Sequence, residues 1–164
     1  MAFLEEVHPQ AVRIAGALRE RGEKIAVADG ATGGLIGAAL LTVPGALDFY
    51  VGGGIVYSFR GRDILFDLPP NFYKGMRSAT EEYALLQAKA IRDNFEAQWG
   101  IAESGSAGSS KHPLGVASGR SVAAVVGPSS ERIQLVETQS DMRIDNMYAF
   151  TRNALDLLES SLSQ

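Results

Sequence analysis

The apolar run Lys24-Ile25-Ala26-Val27-Ala28 leads directly into Asp29-Gly30-Ala31-Thr32-Gly33-Gly34, and Leu35 to Leu41 can continue as a helix. Strand, tight glycine turn, helix is the order that places a ligand at the carboxyl edge of a sheet. Small residues in such a turn admit a ligand to the backbone, and the free amides of the helix's first turn can hold an anion. Thr32 can cap that helix or offer its hydroxyl to the same anion. The segment is neither GxGxxG nor GxxxxGK(S/T), so no dinucleotide or P-loop assignment follows. A tight βα turn that binds nothing has the same pattern.

Around this unit the chain alternates helix and strand signals. His8-Pro9 introduces a first helix with apolar residues at Ala11, Val12, Ile14, Ala15 and Leu18, and Gly22 stops it. Phe49 to Tyr57 reads as a central strand in which Gly52-Gly53-Gly54 points to a bulge or a close backbone approach. Arg60-Gly61-Arg62-Asp63 reads as a basic turn. Ser78 with Glu81 resembles a capping box opening a helix whose apolar face is Ala84, Ala88, Ile91 and Phe95. Trp99 to Ala102 reads as a short strand, and Glu103 to His112 as a loop of glycine and serine. Val116 to Val126 and Arg132 to Thr138 read as two more strands. Asp141 then caps a final helix with Ile144, Tyr148, Leu155 and Leu158 buried. Only Gly127-Pro128-Ser129-Ser130-Glu131 joins the last two strands, too short for a parallel crossover, so that pair is antiparallel and the sheet mixed. The expectation is an α/β layered fold in one domain, residues 1–164.

Composition narrows what such a domain can do. With 15 Lys and Arg against 19 Asp and Glu, the net charge is −4, which argues against a nucleic-acid footprint. Cysteine is absent, and the two histidines, His8 and His112, stand far apart, so no metal site is expected. No stretch approaches the roughly 20 apolar residues of a membrane helix, and Met1 to Glu6 does not read as a secretory signal. A soluble, cytoplasmic chain is the expectation.

Three other groups can carry chemistry. The loop Ser104-Gly105-Ser106-Ala107-Gly108-Ser109-Ser110-Lys111-His112 can gather amides and hydroxyls around a phosphate or carboxylate, or can simply be solvated. Tyr57-Ser58 followed by Arg60 and Arg62 can bind a phosphate in a bidentate manner, or can be a strand end and a surface turn. His112 has the side-chain pKa of a general base, but spacing defends no Ser–His–acid order.

Taken in order, these segments resemble a known family. Ala28 to Gly34 followed by Leu41-Thr42-Val43-Pro44-Gly45 is similar to the opening motif of the CinA carboxyl-terminal domain family, whose best-studied activity is nicotinamide mononucleotide deamidation. The similarity continues through Gly53 to Ser58, Trp99 to Ala102 and Pro113 to Val116, and ends with Arg143, Asn146, Thr151, Ala154-Leu155 and Leu158. The resemblance implies a three-layer α/β/α domain, a homo-oligomer with a dimer favoured, a small-molecule partner and no cofactor. Typical members read Ala-Glu-Ser-Cys-Thr-Gly-Gly in the first motif, with the serine as nucleophile of the amidase reaction.

This chain departs from that pattern at the chemistry. Gly30 stands in the serine's position, Asp29 replaces the preceding glutamate, and Ala31 replaces the cysteine. Arg62 stands where the family has lysine, and arginine does not deprotonate to act as a base. Glu103-Ser104 replaces Gly-Pro, and His112 replaces a later lysine. The leading expectation is therefore a divergent member without serine-dependent amidase activity that keeps a pocket for a small anionic or amide ligand, such as a nucleotide. Its lining is expected from Gly30, Thr32, Gly33, Gly34, Tyr57, Ser58, Arg62, Ser104, Ser106 and His112. Asp29, Thr32, Tyr57 and His112 are the candidates should a rewired amidase or other C–N hydrolase operate. A purely structural, self-associating protein is the remaining alternative.

Overall fold

A computed structural model describes residues 2–110 and 115–164. Among these residues five helices and five strands run α1 (Phe3–Arg21), β1 (Ile25–Asp29), α2 (Leu35–Leu41), β2 (Tyr50–Ile55), α3 (Phe59–Phe66), α4 (Glu81–Asn94), β3 (Trp99–Ser106), β4 (Arg120–Val126), β5 (Glu131–Glu137) and α5 (Arg143–Leu162). Short 3-10 turns stand at Ala46–Asp48 and Pro70–Tyr73. The strands form one sheet in the order β2-β1-β3-β4-β5. β1 is parallel to β2 and β3, whereas β3–β4 and β4–β5 are antiparallel, so the sheet is mixed.

Successive side chains of a strand point to opposite faces, and here each face is covered. Ile25, Val27, Trp99, Ile101, Ala123 and Val125 pack with α1, α2 and α5 in one apolar layer. Ala26, Ala28, Ala102, Val122, Ala124 and Val126 pack with Ala84, Ala88 and Ile91 of α4 in the other. This is a three-layer α/β/α fold. It explains why β1 reads as an unbroken apolar run: a strand buried on both faces has no wet side.

Several local expectations are corrected. α1 begins at Phe3 and contains Pro9, because Phe3 and Val7 bury against the core and the Phe3 ring stacks on Tyr148. Val12, expected inside, is exposed. The strand expected to be central, β2, is an edge strand, although the expected close approach is real: a Cβ on Gly53 would lie 1.8 Å from the Val27 carbonyl oxygen. Arg60 to Asp63 is not a turn but part of α3, whose first turn is capped by Ser58 Oγ accepting from the Gly61 amide at 3.0 Å. Thr80, not Ser78, is the N-cap of α4, and Met142, not Asp141, that of α5. Ile144, placed inside by periodicity, is 63% exposed. Glu103 to Ser106 is not loop, because these residues continue β3 by pairing with Arg120 to Ala123. β4 starts at Arg120, four residues later than the pattern suggests.

Candidate functional site

The βα turn after β1 is filled by two buried carboxylates. Asp29, 3% exposed, accepts from the Thr32 hydroxyl, from the Ile36 amide at 3.0 Å and from the Gly37 amide at 3.1 Å. The first-turn amides of α2, expected to face an anionic ligand, are thus held by the chain's own carboxylate. Glu103, 1% exposed, reaches across from β3. Its Oε1 accepts from the Thr32 amide at 2.9 Å and the Gly30 amide at 3.2 Å, and its Oε2 accepts from Ser121 Oγ at 2.7 Å. Burial pushes both carboxyls above their ordinary range, against the pull of the donors around them, and the charge of Asp29 raises Glu103 further.

Gly30 sits inside this network. A Cβ there would lie 2.2 Å from the Glu103 carbonyl oxygen and 3.2 Å from its Oε1. No side chain fits at position 30 unless β3 moves.

Beside the turn lies a cavity of about 380 Å³. Gly30, Tyr57, Ser58, Ser104 and Ser106 from the expected set line it. Thr32, Gly33, Gly34 and Arg62 do not. Thr32 is fully buried between Asp29 and Glu103. Arg62 turns away, with its guanidinium 3.6 Å from the centre of the Tyr73 ring and 4.8 Å from that of Phe59, and 3.0 Å from Asp63. His112 lies outside the described residues.

Sequence reasoning missed Val56, Phe59, Ser78, Tyr83, Gln87 and Arg143 as wall residues, whereas Gly108 belongs to the Gly/Ser loop it had singled out. Gln87 was hidden within an otherwise apolar helical face, where a lone polar residue between Ala84 and Ala88 was the available signal. Arg143, at the start of α5, is exposed and has no ion pair or hydrogen bond among the described residues. Its guanidinium packs over Gly108, where a Cβ would come within 2.4 Å of it. The described lining residues offer hydroxyls, an amide and one cation, and among them there is no carboxylate, imidazole or amine.

The family model of the CinA C-terminal domain matches residues 7–162. A CinA-like protein of Synechococcus sp. (strain CC9902) is 38% identical over 91 residues, 56% of this chain and 22% of that protein. A CinA-like protein of Prochlorococcus marinus is 33% identical over 122 residues, covering 74% of this chain and 29% of its own length. The chain therefore spans less than a third of these curated relatives. The crystal structure of a competence-damaged protein (CinA) superfamily protein from Enterobacter cloacae superposes with a TM-score of 0.87 at 25% identity, over 95% of this chain and 92% of that one. That of a competence/damage inducible protein from Agrobacterium tumefaciens gives 0.86 at 21% identity, over 100% and 98%.

Proposed function

The chain belongs to the CinA C-terminal domain family, and we propose that it is a member that has lost serine-dependent amidase chemistry and kept a cavity for a small ligand. One observation carries this reading: Glu103 occupies the space and the amides beside Gly30 that an attacking side chain and its oxyanion would need. A route through Thr32 and Asp29 gains no support, because both are buried and bonded to each other outside the cavity. The kept cavity is of ligand size, and Arg143 on its wall supplies an uncommitted positive charge for an anionic group.

Ammonia release from nicotinamide mononucleotide tests the loss. None above background is expected, and turnover approaching about 1–1000 per second overturns the reading. The homo-oligomer implied by the family is supported by Val51 and Ile55, two exposed apolar side chains on the edge strand β2. Sedimentation is expected to show a dimer, and a monomer at all concentrations removes that part of the proposal.

A further inference from the structure

Asp29 and Glu103 follow Ala28 and Ala102, the last pair in the β1–β3 register, so two acidic residues leave adjacent parallel strands side by side. One residue bridges them: the Thr32 hydroxyl donates to Asp29 Oδ1 and the Thr32 amide to Glu103 Oε1. The other donors are the Ile36 and Gly37 amides for Asp29, and the Gly30 amide and Ser121 hydroxyl for Glu103. All of these donors are neutral, and none of the salt bridges among the described residues involves either carboxyl. The elements around the pair bring few charges to it. α2 has no titratable residue. β2 brings the Tyr50 hydroxyl, which a Cβ on Gly37 would meet at 2.9 Å, and α4 brings Tyr83 to the cavity wall. Arg120 of β4 donates to the Ala79 carbonyl and to Glu137, and Arg143 of α5 packs over Gly108. Two carboxyls in one buried pocket, with dipoles but no bonded cation to hold both charges, ionise in two steps that belong to the pair.

We propose that Asp29 and Glu103 share one proton as a pair, and that loss of this proton to solvent loosens the β1–α2 turn, so that the floor of the cavity answers to pH. Gly30 and Ala31 of that turn, and Ser104 and Gly105 next to Glu103, line the cavity. With the proton in place, the surrounding N–H and O–H groups hold a single negative charge. Without it, two like charges face each other across Thr32 in a medium that screens them poorly. Glu103 relieves the repulsion by giving up the Gly30 and Thr32 amides and turning to water. In the opened turn both carboxyls are solvated and ionise at ordinary values, so opening releases the shared proton. The opening constant therefore rises tenfold per pH unit from the ordinary carboxylate range up to the pair's second apparent pKa, and is level above it. Burial sets that value above the ordinary range, and the charge of Asp29 lifts Glu103 further. The device does not depend on which ligand the cavity takes.

Carbon-13 NMR titration of the Asp29 and Glu103 carboxyls in the whole chain reads the pair, and hydrogen exchange at the Gly30 and Thr32 amides reads the turn. Each wild-type carboxyl is expected to titrate in two steps separated by more than about one pH unit. In Glu103→Gln the Asp29 carboxyl is expected to titrate in one step, and Asp29→Asn does the same for Glu103. Either variant suffices should the other fail to fold. Protection of the two amides, corrected for hydroxide catalysis, is expected to fall about tenfold per pH unit in the wild type and to level off at a lower pH in Glu103→Gln. Single-step titration of both carboxyls that persists unchanged in the variants overturns the shared proton. Two-step titration with protection that does not change with pH overturns the opening of the turn.

Discussion

At position 30 a Cβ would lie 2.2 Å from the carbonyl oxygen of Glu103, so a serine there has to push β3 away from β1, its paired neighbour. Gly30→Ser is therefore expected to lower stability by about 2 kcal/mol, the scale of overpacking a tight core, without restoring ammonia release. Chemical denaturation and the amidase assay check the two halves. The same pocket predicts a pH dependence. Asp29 and Glu103 are both raised above the ordinary carboxylate range, so between that range and their raised values the folded protein holds protons that the unfolded chain has lost. Stability is then greatest below about pH 4 as far as these groups are concerned, and declines as pH climbs through the raised values. Glu103→Gln keeps the acceptor for the Gly30 and Thr32 amides and removes the charge, so its Tm should decline less over that interval. A profile identical to wild type would show that Glu103 ionises without penalty.

Elements hold the cavity wall in place through contacts that a motif search does not see. Arg62, on α3, lies against the Tyr73 ring and the Phe59 ring and pairs with Asp63. It joins α3 to the Pro70–Tyr73 turn. A lysine, which the family resemblance would place there, has no planar face to stack on Tyr73. Arg62→Lys is expected to cost about 1 kcal/mol of stability and, on the proposed loss of chemistry, to give no ammonia release, because Gly30 is unchanged. A gain of ammonia release in that variant would show that position 62, not position 30, holds the activity back. At the sheet's other contact, β2 lies so close to β1 that only glycine fits at position 53, which makes the edge strand dependent on that residue. Gly53→Ala should raise hydrogen exchange at the β1–β2 ladder while leaving β3–β4 protected.

On the scale of the whole molecule, two apolar layers clamp the sheet, and the first and last helices close one of them. Arg13 meets Glu159 at 2.6 Å and Arg152 meets Glu6 at 3.0 Å, tying α1 to α5 at the surface. The Arg13 guanidinium holds the Glu159 carboxyl below its usual range, so that pair's contribution is present at neutral pH and fades on acidification. A ligand that binds only the folded protein adds stability by mass action, about 2.7 kcal/mol at a hundred times its Kd. A thermal-shift series with nicotinamide mononucleotide should therefore show Tm rising with concentration, and a flat series removes the ligand reading. Much of this architecture was legible in the residues. The apolar run of β1, the glycine turn, the Leu35–Leu41 helix and the short β4–β5 connection depend on local period and chain length, and those are properties of sequence. That position 30 brings no side chain to the turn was legible too, since a glycine has none in any fold. What sequence could not decide was who partners whom across the sheet. Glu103 to Ser106 read as a solvated loop by composition, yet pairing with β4 made them strand and swung one carboxylate onto the amides meant for a ligand. Arg62 had the charge for a phosphate and spent it on aromatic rings, and Gln87 looked like one more position on a helix until folding set it on the wall of a cavity. Local propensity is settled within a few residues, but a hydrogen bond between residues 71 positions apart exists only once the chain has folded.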